Sequence, residues 1–496
     1  MRSCHSLKRL SVSFSDQHAV ADAGLLLPAT LAEKLGFKAL FDEHVDLGAA
    51  PGAGNVGVKA MSLIYSALAG GDCIDDADLL RSGSTQAVLG CALRAPSTLG
   101  TFLRSFSFGH ARQLDVVSRR SLARAWSAGA GAGSSPLTID LDSTICETYG
   151  LAKQGGSKFT YAKVRGYHPL LAVAAGSGEV LHARLRAGPA STTRGAAHFR
   201  AETSARLRGA AAGGELTLRA DSGFYNAKVV RACRKRGVLH ARLRGGPANT
   251  TRGAAHFLAE TVTRLRGAGA AGELTLRADS GFYNAKVVRA CRKRGVRFSI
   301  TMRLQKGLQA RLAALPEEAW TPIPYFMAGA AVAEVASAPF GKKGFPVRLI
   351  VRRVPPSPGS QLALFASFSY HAFICDREGE SLALEADHRR HAEIENAIRD
   401  LKYGVALNHL PSWRFAANAA WLALQVMAHN LGIWVNLMGL QGAPLRMKTL
   451  RQRYLTLPGR LTRGARRQCL ALPVAWPWKE QFLAALARLR ALPLLA

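Results

Sequence analysis

Leu137–Asp142 reads LTIDLD and is followed by Ser143 and Thr144. Leu137, Ile139 and Leu141 alternate with Thr138, Asp140 and Asp142, the period-two signature of a strand with two unlike faces. Acidic side chains are scarce in this chain: 33 Asp+Glu stand against 66 Lys+Arg, a formal net charge of +33. A carboxylate at the end of a strand therefore calls for a reason. Ligand-binding groups in α/β sheets lie at the carboxyl ends of strands, which makes Asp142 a candidate. The plainer reading is that it caps the turn that follows.

Outward from this strand, His168–Ala175 and Glu179–Leu185 read as two more strands, and Gly195–Leu207 as a helix. Leu216–Ala220 (LTLRA) is a further strand, closed by Asp221. A helix through Val229–Cys233 follows, and Val296–Met302 (VRFSITM) is another strand. Three strands, then helix, strand, helix and strand, predict a mixed α/β sheet.

The run from Val180 to Gly237 is repeated from Val238 to Gly295. The copies differ at seven of 58 positions. Repeat arrays need about three units to share a core, so two near-identical units read as an in-frame duplication inside one domain, with one copy surplus. The second copy carries 11 basic and 3 acidic residues, too few to account for the charge of the chain. It also duplicates the strand-ending carboxylate as Asp279. Either copy could stand beside the Asp142 strand. Asp279 is slightly favoured, because its helix runs without interruption into VRFSITM.

Residues 1–126 read as mainly helical, with Ala60–Ala69, a cap at Asp75 or Asp76, and Ser97–Phe106 capped by Ser97. Arg104, Arg112, Arg119 and Arg120 are candidate DNA contacts there. Ser127–Ser135 (SAGAGAGSS) is a linker by composition. The mixed sheet occupies 136–302, a β-rich insertion 303–385, a helical segment 386–440, and a basic helical tail 441–496. The tail holds Arg446, Lys448, Arg451, Arg453, Arg460, Arg463, Arg466 and Arg467, a candidate phosphate-binding cluster.

Within 386–440, DHRRHAEIENAIRDLKY (Asp387–Tyr403) has helix-forming composition. At about 100° per residue, His388, His391, Glu395, Arg399 and Lys402 share one side of a single helix, and Ile394, Ile398 and Leu401 form its apolar stripe. A third carboxylate, Glu395, thus joins phosphate-binding groups. His388, His391 and Glu395 also make a weak zinc pattern, and a solvated amphipathic surface is the plain alternative.

DLDST, RADSGFYNAKVV and AEIENAIRDLKYG together resemble the three motifs of DDE transposases of bacterial insertion sequences. The resemblance spans about 137–404. It implies an RNase H-like α/β fold: a mixed sheet with helices on both faces, a β-rich insertion before the Glu helix, and helical ends. It implies Asp142, Asp221 or Asp279, and Glu395 as a triad for two Mg²⁺ ions, with Mn²⁺ able to substitute. It implies hydrolysis at transposon ends and strand transfer into target DNA. Many relatives carry Tyr-x2-Arg-x3-Glu-x6-Lys on the last helix. Glu395 and Lys402 keep that spacing, His388 and His391 replace the Tyr and Arg, and Arg390 is a stand-in for the missing Arg. Expected partners are double-stranded DNA, as terminal inverted repeats and target, and a second copy of the chain as a homodimer on that DNA.

Composition excludes other classes. At 48% hydrophobic and 20% charged the chain is neither disordered nor collagen-like. Eight scattered cysteines with no CxxC pair exclude a zinc ribbon and fit a reducing cytoplasm, and the resemblance implies a place near the nucleoid of a bacterium. Trp421–Leu440 is long and apolar enough for a membrane span, but Gln425, His429 and Asn430 mark it as a buried helix. Two rival functions share these features: a metal-dependent nuclease without strand transfer, and a non-catalytic DNA-binding remnant of a transposase.

Overall fold

The structure is a computed structural model. It describes residues 10–131, 137–149, 153–154, 159–160, 163–189, 196–210, 216–221, 240–244, 274–278, 280, 283–302, 304, 306–324, 328–337, 340, 346–356, 368–389, 393–442, 444–464 and 467–495. The predicted helix at 229–233 lies outside these residues.

Before the first sheet the described residues form one four-residue helix, Thr85–Val88, and five longer ones: α1 (Leu26–Lys34), α2 (Phe37–His44), α3 (Val56–Ala69), α4 (Pro96–Arg104) and α5 (Phe108–Ala125). Two expected caps differ. Pro96 takes the first helical position of α4, where its missing N–H costs nothing, so Ser97 lies inside the helix and Ala95 precedes it. Asp76 accepts hydrogen bonds from the backbone N–H groups of Asp72 and Cys73, holding the turn before a short 3₁₀ segment.

The first sheet contains β1 (Leu137–Ser143), β2 (Leu170–Ala174), β3 (Val180–Arg184), β4 (Leu216–Asp221) and β5 (His240–Arg244). Their spatial order is β3-β2-β1-β4-β5. β2 is antiparallel to β1 and β3, whereas β4 is parallel to β1 and β5 parallel to β4. This is the RNase H-like mixed sheet. Both faces of β1 are covered: Leu137 and Ile139 are buried, and so is Asp140, which follows Ile139 and points to the other face.

A second sheet holds β6 (Leu274–Ala278), β7 (Val296–Met302), β8 (Ala331–Ser337), β9 (Val347–Val354) and β10 (Ser369–Cys375), in the order β8-β9-β10-β7-β6, with the two-residue strand Thr321–Pro322 on the outer edge of β8. β6 and β7 are parallel, and the others are antiparallel. The helix α7 (Ala285–Lys293) joins β6 to β7, and Val287, Val288 and Cys291 bury its apolar face. β5 and β6 lie alongside each other, one from each sheet.

The duplication decides this division. In copy one, VLHAR at 180–184 is β3, antiparallel to β2. In copy two, HARLR at 240–244, the counterpart of 182–186, is β5, parallel to β4. β5 therefore takes the place after β4 that Val296–Met302 takes after β6. The two pairings differ in register by one residue. In the second sheet Leu276 faces Phe298 and Ala278 faces Ile300. In the first, Leu218 faces Ala241 and Ala220 faces Leu243. An unshifted pairing would set Leu218 against His240 and Ala220 against Arg242. Because side chains alternate with period two, one step of slip keeps apolar residues opposite apolar ones.

The longer helices after β10 are α8 (Ser381–Arg389), α9 (Glu393–Gly404), α10 (Phe415–Trp434) and α11 (Lys479–Ala491). Two large cores follow the two sheets. One joins α1–α5, the first sheet, α9, α10 and α11; the other joins β6–β10 and α7. α10 is buried along almost its whole length. No helix of the described residues is long and apolar enough to cross a membrane. The polar residues of α10 hold the β2–β3 hairpin. Asn430 accepts from Val180 N–H and donates to its carbonyl, both at 2.8 Å, and the His429 ring donates to the Gly178 carbonyl at 3.0 Å.

The tail is not purely helical. Gly459–Arg463 and Gln468–Ala471 form a hairpin, and Ala19–Val20 adds a strand to its edge. Helix α11 follows and packs on α1.

Between α5 and α10 lies Glu179, fully buried, with its carboxylate accepting from the indole N–H groups of Trp126 and Trp434. Burial pushes its pKa up to about 7 from 4.5, against the pull of the two donors. The neutral form therefore favours the fold. Its contribution is complete below the unfolded value and is lost as pH rises through about 7. Glu179→Gln is expected to flatten the dependence of Tm on pH across this window, and an unchanged slope would refute the assignment. A second expectation concerns the sheet. A short thiol cross-linker should join Ala220→Cys to Leu243→Cys in the full chain, and Ala220→Cys to Ile300→Cys once 238–295 is deleted. Joining of 220 to 300 in the full chain would show that β7, not β5, neighbours β4.

Candidate active site

Parallel pairing sets Leu141 of β1 opposite Ala220 of β4. The next residues along the two strands are Asp142 and Asp221. Neighbouring strands lie about 4.8 Å apart, so these two residues close adjacent strands at one level. Asp142 is half-buried, and its Oδ1 accepts the Ser143 N–H at 2.7 Å. Asp221 closes β4 as backbone, and Asp279 lies outside the described residues. The strand leading to Asp279 is β6, in the second sheet. The continuity that favoured Asp279 is present, since α7 runs directly into β7. That unit stays together away from β1, and the strand of Asp221 stands beside Asp142 instead.

Helix α9 packs against β1 and α10. Its apolar stripe is the one expected: Ile394 and Leu401 are buried and Ile398 partly so. Glu395 lies on its exposed side. Arg399 is exposed and donates to Asn396 Oδ1 at 2.7 Å. Lys402 is half-buried, and its positive charge acts on the buried Cys146 thiol. Burial pushes that thiol up to about 12, and the ammonium opposes the rise. Lys402 thus stands near the segment that leaves β1. Asp400, on the opposite side of α9, accepts the Met447 N–H at 2.9 and 3.0 Å and anchors the tail.

His388 does not join this group. The sequence 387–402 is carried by two helices, α8 and α9, and Arg390 and His391 lie outside the described residues. α8 packs on β8 and β9, whereas α9 packs on β1. A single helical wheel therefore does not apply. His388 is buried, stacks on Phe373 with ring centroids 4.1 Å apart, and shares hydrogen bonds with Ser299 Oγ at 2.6 Å and Thr301 Oγ1 at 3.0 Å. Both ring nitrogens are engaged, so the zinc pattern loses a member and the phosphate contact loses an exposed donor.

Two arginines read as DNA or phosphate contacts, Arg112 and Arg451, are engaged within the protein. Arg112 pairs with Asp115 at 3.1 Å and Glu202 at 2.7 Å. Arg184 and Arg206 complete this network, which ties α5 to β3 and to α6 (Ala196–Gly209) in copy one. Arg451 donates to the carbonyls of Ala67, Leu68 and Gly404. Arg104, Arg119, Arg120, Arg460, Arg463 and Arg467 are exposed, and Arg466 lies outside the described residues. Sequence reading passed over two exposed aromatic–arginine pairs. Arg165 lies over the Phe159 ring and Arg414 over the Trp413 ring, each 5.2 Å from the centroid. The adjacent letters Trp413-Arg414 in a polar loop were the available signal.

A family model described as "Transposase DDE domain group 1" matches residues 3–241 and 236–494. The two stretches meet where the copies meet, at Gly237–Val238. Among solved structures, the piggyBac transposase synaptic complex with hairpin DNA is 11% identical, with a TM-score of 0.34, covering 88% of this chain and 80% of that one. No curated protein matches.

His388→Ala should destabilise the protein by about 1–3 kcal/mol, as expected where buried polar partners are left unsatisfied. Denaturant titration reads this loss. Full stability in the variant would show that His388 is not held between Ser299, Thr301 and Phe373.

Proposed function

The chain belongs to the group 1 family of transposase DDE domains, and on that premise we propose that it cleaves DNA at transposon ends and joins the freed ends to target DNA. The observation that carries this reading is the in-register closure of β1 and β4 by Asp142 and Asp221, with the Glu395 helix packed on β1.

Asp142, Asp221 and Glu395 are the residues that would hold Mg²⁺ or Mn²⁺. Their donor chemistry fits: all are hard carboxylate oxygens, the set that such ions prefer together with water and phosphate. A pair of bound ions supplies the charge that activates an attacking oxygen and stabilises the leaving one. The chain's own part is positioning, on which phosphoryl transfer mainly depends. Lys402 and Arg399 hold phosphates of the scissile strand. Exposed arginines of the helical region and the tail hairpin contact the flanking duplex, so affinity falls steeply with salt. Terminal inverted repeats and target are the DNA partners, engaged by a homodimer.

A second reading, of an impaired enzyme or a DNA-binding remnant, rests on a separate observation. β5 from the surplus copy fills the fifth-strand place, and β7 with the β-rich insertion stands in another sheet. Deleting 238–295 restores the uninterrupted order and should raise end cleavage and strand transfer. Equal rates for the two chains would remove the impairment. In the shortened chain, Asp142→Asn and Asp221→Asn should each lower cleavage on the order of 1,000-fold or more, with end binding nearly unchanged. Persistent cleavage in the Asp142 variant would transfer suspicion to Asp140.

A further inference from the structure

Two loops leave the candidate site in different directions in sequence and meet in space. One leaves β1 just past Asp142, forms a two-stranded ribbon at Cys146–Glu147 and Gly166–Tyr167, and returns to β2. The other follows α9. They are clasped by Gln154 N–H donating to the Trp413 carbonyl at 2.7 Å and by Lys153 Nζ donating to the Leu410 carbonyl at 2.7 Å. Tyr167 OH donates to the Gln154 carbonyl at 2.7 Å and secures the clasp from below.

This clasp holds large aromatic rings in solvent. Phe159 is 62% exposed, Trp413 48% and Tyr149 82%. Rings of this size are usually covered at least in large part. Two of the three carry an arginine on one face, Arg165 over Phe159 and Arg414 over Trp413. Arg414 is further fixed by donating to the Arg104 carbonyl at 2.7 Å, and the Arg165 carbonyl accepts the Thr148 N–H at 3.0 Å. Flat rings and guanidinium planes held in place next to a strand end form a stacking surface for unpaired bases, with the charge to attract the attached phosphates. A duplex offers such a surface nothing to stack, because its bases already stack on each other.

We propose that the Phe159–Arg165 and Trp413–Arg414 pairs form a binding site for unpaired nucleotides beside the candidate active site. The proposal deepens the transposase reading and rests on it for the source of the strand, the DNA opened next to the scissile bond. The net charge of +33 favours DNA over a protein as the occupant.

The test uses the full chain and two probes at one salt concentration: single-stranded oligothymidylate, and a duplex of equal length. Each of Phe159→Ala and Trp413→Ala should weaken single-strand binding about tenfold, the range of one lost base–aromatic stack, with duplex binding changed less than twofold. Phe159→Tyr and Trp413→Phe should restore it, which separates stacking from folding. Unchanged single-strand affinity would overturn the proposal and assign the face to a protein contact. Parallel loss on both probes, unrescued by the aromatic variants, would overturn it as well. Asp142→Asn should leave single-strand binding intact. Failure of the metal triad therefore shows in cleavage alone, and failure of the stacking site in binding alone.

Discussion

The parallel pairing of β1 with β4 is the constraint on which the rest of this structure depends. A parallel pair cannot be made by a hairpin and needs a long crossover. Here the crossover contains β2, β3 and α6, so the first sheet closes only when these have packed. The ion network of Arg112, Asp115, Arg184, Glu202 and Arg206 fastens α6 and β3 to α5. Asn430 and His429 fasten the β2–β3 hairpin to α10. Each contact is worth about 1 kcal/mol alone. Together they fix where β4 can enter, and thereby which carboxylate stands next to Asp142.

The duplication adds a competitor for the neighbouring place. The place beside β4 is held by β5, from the start of copy two. It accepts the place because an alternating apolar segment can pair there after one step of slip. The second copy's own strand, β6, then has no β1 to pair with and pairs with β7 instead. The insertion strands β8–β10 follow β7, with which β10 is paired. With the 58-residue repeat in place, the strands of the expected mixed sheet are divided between two sheets with two large cores.

Much of this was legible beforehand. The strands at 170–174, 180–184 and 296–302 fall on or within segments read as strands, and the strand at 216–221 extends one of them by its closing Asp221. The apolar stripe of α9 was equally plain. Reading failed where a residue's partner lies far along the chain. His388 looked like a surface ligand because its neighbours in sequence are charged, yet its hydroxyl partners sit on β7 and its stacking partner on β10. Arg451 looked like a phosphate contact within a basic tail, yet it closes carbonyls of α3 and α9. The basic tail read as helical because a short hairpin rich in arginine has weak alternation, and its pairing with Ala19–Val20 joins opposite ends of the chain.

Sequence alone determined that residues 180–186 and 238–244, identical as VLHARLR, would favour extended backbone. It also determined that acidic residues would close LTIDLD and LTLRAD. It had no means of determining that one heptapeptide would run antiparallel at a sheet edge and the other parallel beside β4, since identical letters carry identical local preferences. That choice belongs to tertiary structure: backbone hydrogen bonds are the same for any strand, and only the partners already in place, with the facing of apolar residues they impose, distinguish one position from another.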